Sequence, residues 1–241
     1  MSLNFSIRRV FCAMIVPALT IVHMGIGHAE TVSETSTQEA MVTTHADQEH
    51  KASFRDRQWH VSIFGDKWVE SSLPAFPKNV VTGNIKLKDA TFLGAEVAHV
   101  LVPKFNISFF GYTLPGNSVE LAGQIIKHSG LQDHYESTGS IVIRSGEVHV
   151  LDQLSFNVAW ANGFSYAFSK PAYEKGSDGQ RGINSKKLQY YMGIESEFTH
   201  ASIPNVHFFV NLHHRSGIYG LISPRKTGSN YIGVGLRWDI Q

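Results

Sequence analysis

From Leu154 to Ser169 the chain changes character at every residue. Leu154, Phe156, Val158, Trp160, Phe164, Tyr166 and Phe168 stand at even positions, with Asn162 their one polar companion. The odd positions hold Ser155, Asn157, Ala159, Ala161, Gly163, Ser165, Ala167 and Ser169. A period of two sends successive side chains to opposite sides of a strand. The stretch is far longer than the roughly five or six residues of a soluble strand. Bulky apolar residues on one face and small or polar ones on the other fit a strand of a transmembrane β-barrel, lipid outside and lumen inside. A periplasmic lipocalin-like barrel is the soluble alternative, but it points its apolar residues inward, and the small residues of 155–169 would not fill such an interior.

The pattern recurs. It predicts strands at 58–68, 89–103, 118–128, 134–145, 153–169, 186–200, 205–219 and 228–240. Eight is the smallest number such barrels use, and a bilayer, which offers no water to an open sheet edge, demands that they close. A further apolar piece, Phe105 to Tyr112, disturbs the count and is read as a turn excursion or an extension of the third strand. The expected fold is therefore an all-β, eight-stranded antiparallel transmembrane β-barrel over 57–241.

What precedes the barrel reads as an address and a tail. Arg8 and Arg9 precede an apolar run from Val10 to Val22, and Gly27-His28-Ala29 supplies small residues for a peptidase. This is the pattern of a signal peptide over 1–29, cut before Glu30. Cleavage would remove Cys12, the single cysteine, and turn the formal charge of +1 into −1 by removing Arg8 and Arg9. Residues 30–56 are polar and aperiodic, the composition of a disordered periplasmic tail. A near-neutral chain with only 17% charged residues presents no polyanion-binding surface, so nucleic acid is not an expected partner. No later stretch reaches the length of an apolar spanning helix. The expected location is the bacterial outer membrane, reached through the barrel-assembly machinery, with outer-membrane lipids as neighbours.

With both ends in the periplasm, the outer loops are 69–88, 129–133, 170–185 and 220–227, and 104–117 is an unusually long inner connection. In the seventh strand, Phe208, Val210, Leu212, His214, Ser216 and Ile218 share the lipid side, whereas Phe209, Asn211, His213, Arg215 and Gly217 share the lumen side. His214 and Ser216 thus stand side by side, roughly 7 Å apart at about 3.3 Å per residue. An imidazole so placed can act as general base to a hydroxyl, and polar pairs facing lipid are costly enough to mark function. His-x-Ser occurs also at His60/Ser62 and His200/Ser202. The first pair faces the lumen and the second a periplasmic turn.

Three segments, GFSYAFSKPAYEK (163–175), LHHRSGIYGLI (212–222) and GSNYIGVGLRW (228–238), resemble outer-membrane lipid A 3-O-deacylases of the PagL type and the related barrels called acyloxyacyl hydrolases. The resemblance covers about 58–241. It implies an eight-stranded barrel that hydrolyses an acyl ester of lipopolysaccharide, with Ser216 as nucleophile, His214 as base and a Glu orienting the His. The family's Glu falls about fourteen residues beyond the His, where this chain has Gly228. Glu174, in an outer loop, is the acid expected to reach His214. Asn230, on the lipid face of the last strand, is a candidate oxyanion donor. Adjacent His213 and His214 point to opposite faces, so no metal and no cofactor are expected. A non-catalytic small barrel with a structural, adhesive or ligand-contact role, and an acyltransferase, are the other readings.

Overall fold

The computed structural model describes residues 59–174, 181–182, 184–224 and 227–240. The expected signal peptide and tail lie outside the described residues. The order of elements is β1 (Trp59–Val69), a 3-10 turn (Leu73–Ala75), α1 (Phe76–Val81), β2 (Leu87–Phe109), β3 (Tyr112–Gly130), β4 (Tyr135–Arg144), β5 (Val148–Leu151), β6 (Leu154–Ala167), β7 (Leu188–His200), β8 (Val206–Ser216), a second 3-10 turn (Ile218–Gly220) and β9 (Gly228–Ile240). Consecutive strands pair except β4 and β5, β1 also pairs with β9, and β4 pairs with β6. Every pairing is antiparallel and the ring closes. Eight strands make the ring, as the alternation predicts, while β5 is a short addition hydrogen-bonded to the start of β6.

The piece Phe105 to Tyr112 belongs to neither a loose excursion nor one strand alone. β2 and β3 both run past the barrel and meet at a two-residue turn, Phe110-Gly111, with φ of 47° and 80°. Positive φ at both central positions is the geometry of a tight hairpin whose twist matches its strands.

Sidedness follows parity. Along β1, His60, Ser62 and Phe64 are buried, whereas Trp59 and Ile63 are exposed. Trp160, Phe164, Tyr166, Leu93, Val97, Ile125 and Ile141 form an exposed apolar exterior, the arrangement that suits hydrocarbon. One end of the lumen holds a network of ion pairs. Arg144 and Arg237 sit at the inner end among Glu96, Glu120, Glu195 and Glu197. Arg144 Nε donates to Glu120 Oε1 at 2.9 Å, Arg237 Nη2 to Glu195 Oε2 at 2.8 Å, and Arg237 Nη1 to Glu197. Arg237 thus pairs with both Glu195 and Glu197. Above this network Phe64, Trp68, Phe92, Phe209 and Tyr231 pack across the lumen. The barrel is a filled plug rather than an open pore.

One outer connection departs from a simple loop. After Val69 the chain turns down over the outside of the wall, and α1 lies against β8 and β9. Phe76 and Val80 pack with Val69, Val210, Leu212 and Ile232, joined by Leu73, Ile85 and Ile194. Pro74 and Pro77 supply a fixed φ near the start of each short helical element, where a missing N–H costs nothing.

Candidate active site on the outer wall

β8 delivers His214 and Ser216 to the exterior, both half-buried, while His213 and Arg215 turn inward and are buried. This is the face that parity predicts. Directly across the sheet, His214 pairs with Asn230 and Ser216 with Gly228. The cross-strand partner of His214 is therefore sixteen residues on.

Asn230 uses its whole amide. Its Oδ1 lies 2.6 Å from His214 Nδ1, and its Nδ2 donates to the backbone oxygen of Ser71. A carbonyl can only accept, so Ser71 fixes which end of the amide faces the imidazole. Oδ1 must then accept from Nδ1–H, which leaves Nε2 without a proton and free to act as a base. Ser71 is itself held by Asn79 of α1, whose Nδ2 donates to Ser71 Oγ at 2.9 Å. The folded-down loop thus braces the histidine through Asn79, Ser71 and Asn230.

Two expectations need correction here. Glu174 does not reach His214. It is fully buried on the lumen side, where Oε1 accepts from Arg215 Nη1 at 2.7 Å and from Ser229 Oγ at 2.7 Å, and Oε2 from Gln189 Nε2 at 2.6 Å. Arg215 attracts it inward because an unpaired guanidinium in the lumen would be far more costly than an imidazole without an acid. Asn230, for its part, is not placed as an oxyanion donor, since Nδ2 is committed to Ser71. It orients the histidine instead.

His214, Ser216 and Asn230 line one cleft of about 790 Å³. Its walls include Ser72, Leu73 and Pro74 from the folded loop, Tyr190 and Met192 from β7, and Ile218 and Tyr219 beyond Ser216. Val210 and Leu212, on the same side of β8, are covered by Phe76 and Val80. The cleft's apolar surface comes from the loops and β7. Arg181 marks its rim, stacked 4.0 Å over the Tyr173 ring and bonded to Glu70 Oε1 at 2.6 Å. Glu70 also pairs with Lys88 at 2.9 Å, and the hydrogen bond from Lys88 is the main cause that lowers its pKa.

Backbone geometry keeps the serine open. Gly228, opposite Ser216, has φ of 133°, and a Cβ there would fall 2.0 Å from the Arg215 oxygen. Only glycine fits, so no side chain shades Ser216 from β9. Just past the serine, Ile218 and Tyr219 take φ of 43° and 53°, a conformation that costs non-glycine residues energy and clusters at functional sites. Among the described residues no hydrogen bond joins His214 to Ser216. Such contacts are often long until substrate is bound.

No protein-family profile and no curated protein matches the sequence. Among solved structures, the chain is similar to the outer membrane enzyme PagL, with TM-score 0.51 and 11% identity over 75% of this chain and 99% of that one. It is also similar to Neisserial surface protein A (NspA), with TM-score 0.40 and 8% identity over 76% of this chain and 97% of that one. At 11% identity the likeness to PagL speaks to the fold: this chain is an all-β ring of the outer-membrane barrel kind.

Proposed function

We propose that the protein is an outer-membrane esterase that removes an acyl chain from lipid A in the outer leaflet, delivered there by an N-terminal export signal over 1–29. The observation that carries this reading is the 2.6 Å contact between His214 Nδ1 and Asn230 Oδ1, with Ser216 opening into the same cleft on the lipid side of the wall. The trio takes no part in the lumen ion pairs, which join Arg144, Arg215 and Arg237 to buried glutamates without it.

His214 Nε2 takes the Ser216 Oγ proton as Oγ attacks the ester carbonyl. The tetrahedral oxyanion collapses, the sugar oxygen leaves with the proton held on Nε2, and an acyl-serine remains. Water from the headgroup side then attacks the acyl carbon as Nε2 takes its proton, and the breaking ester bond returns that proton to Ser216 Oγ and frees the fatty acid. Asn230 acts through His214 as a positioning residue, the role an Asn plays in the Cys-His-Asn enzymes. Being neutral, it fixes the tautomer without stabilising the imidazolium by charge. With its amide already used, the oxyanion is assigned to the Gly217 backbone N–H, immediately after the nucleophile, as in other serine hydrolases. An apolar cleft of this size suits one acyl chain.

The test is mass analysis of lipid A from outer membranes containing wild type, Ser216→Ala or His214→Ala. Wild type is expected to lack one acyl chain that both variants retain, with all three barrels heat-modifiable. Identical lipid A in the three membranes would return the protein to the non-catalytic barrels.

A further inference from the structure

At the outer end of the lumen, three side chains of the β3–β4 hairpin converge. His128 lies near the end of β3, His134 closes the turn, and Glu136 is the second residue of β4. One ligand atom from each lies within 4.8 Å of the other two. All three are buried, at 0%, 4% and 0% exposure.

Two of the three are conventionally paired. His128 Nε2 lies 2.8 Å from Glu136 Oε2, and Glu136 Oε1 is met by His213 Nε2 at 3.0 Å and Ser165 Oγ at 2.7 Å. His134 is different. Its ring stacks on His128 with centroids 4.2 Å apart and planes 11° from parallel, yet neither ring nitrogen has a hydrogen-bond partner. An unsatisfied buried polar group costs on the order of 1–3 kcal/mol, and few survive without a reason. Metal ligation uses the neutral imidazole, and both His134 nitrogens are open to that role.

We propose that His128, His134 and Glu136 form a binding site for one divalent transition-metal ion of the zinc class. Two imidazoles and a carboxylate are the donor set such ions select. The local charge allows it. Glu136 and Glu174 carry two negative charges against one on Arg215, whose Nη1 lies closer to Glu174 Oε1, at 2.7 Å, than to Glu136 Oε2, at 3.6 Å.

An outer shell is also in place. Gln132 Nε2 contacts both His128 Nδ1 and the Tyr231 hydroxyl, while its Oε1 is buried without a partner. Turning that amide by half a rotation sets the oxygen against Nδ1–H and the Tyr231 hydroxyl. The proton of His128 then sits on Nδ1, and Nε2 is free for the ion, the arrangement ligating histidines usually adopt. The ion would tie the turn to β8 through Glu136 and His213. This site stands whether or not Ser216 is a nucleophile.

The experiment uses the untagged full chain folded in detergent, stripped with chelator and titrated with Zn²⁺, then with Co²⁺ as a spectroscopic probe. Wild type should take up one equivalent of Zn²⁺ and give cobalt absorption bands of a low-coordinate nitrogen–oxygen site. His134→Ala, which removes no hydrogen bond, should weaken binding by about 100-fold or more, since even outer-shell changes cost about 10–100-fold. His200→Ala, at a periplasmic turn, should match wild type. Wild type without stoichiometric uptake or cobalt bands would overturn the proposal, as would equal affinity in His134→Ala. If that variant does not fold, the cobalt spectrum of wild type decides alone.

Discussion

The two faces of β8 are built on opposite terms. Inward, His213 and Arg215 are both buried: His213 Nε2 lies 3.0 Å from Glu136 Oε1, and Arg215 is ion-paired with Glu174 and Glu136. Outward, His214 has a neutral amide as its one hydrogen-bond partner among the described residues, and Ser216 has none. The same strand, one residue apart, spends its polar groups on cohesion on one side and leaves them available on the other. Polar groups that satisfy one another hold a barrel together; a pair facing lipid, braced but incomplete, is what a reaction on lipid requires.

The contrast breaks most sharply at the nucleophile. Ser216→Ala should reduce acyl release by at least about a thousandfold, the scale expected for loss of a covalent nucleophile, with no change in the urea midpoint of the detergent-folded barrel. A changed midpoint with retained activity would place Ser216 among the structural residues.

On the inner face the effect should fall on stability alone. Glu197→Ala strips a buried partner from Arg144 and Arg237, and breaking a buried pair costs about 3–5 kcal/mol. Urea unfolding should report that loss, while the turnover of the molecules that remain folded stays near wild type.

Asn230 sharpens the comparison because it belongs to the outer face and touches no charge. Asn230→Ala should lower kcat by roughly 10–100-fold with little change in KM, as expected when a base loses its orienting partner. Asn230→Asp should recover the rate and move the acid limb of the pH–rate profile to higher pH, because a carboxylate holds a proton on the ring more firmly. An unshifted profile would mean that residue 230 does not act through His214.

The smallest effect is expected from Glu174→Ala. With its bonds to Arg215, Ser229 and Gln189 lost, the outer end of the lumen should loosen, yet acyl release per folded molecule should change by less than about threefold. A loss comparable to that of His214→Ala would show that the lumen acid governs the outer site after all.

The barrel was readable from residues because its signal is one of parity. Leu154–Ser169 and Val206–Ser216 alternate without interruption, so the outward placement of His214 and the inward placement of Arg215 followed from position alone. What escaped depends on distance in space. β5 is four residues long, too short for a period to register. The six residues of α1, FPKNVV, give no helical periodicity, and its docking onto Val210 and Leu212 is a tertiary event. Parity puts Asn230 on the right face but does not reveal its role, because the cross-strand register that sets it opposite His214 is a tertiary feature. Glu174 lies in a loop, where parity says nothing, and the buried Arg215 that claims it reads in the sequence only as a lumen-side charge. The convergence of His128, His134 and Glu136 was not legible either, because the three meet across a turn.

The most direct test of the divided strand is covalent labelling by a fluorophosphonate, which reacts with serines activated by a neighbouring base. In detergent micelles, peptide mass analysis should find the label on Ser216 alone; it should be absent in His214→Ala and present in Glu174→Ala. No label on wild type, or equal labelling of Ser216 with and without His214, would contradict the account.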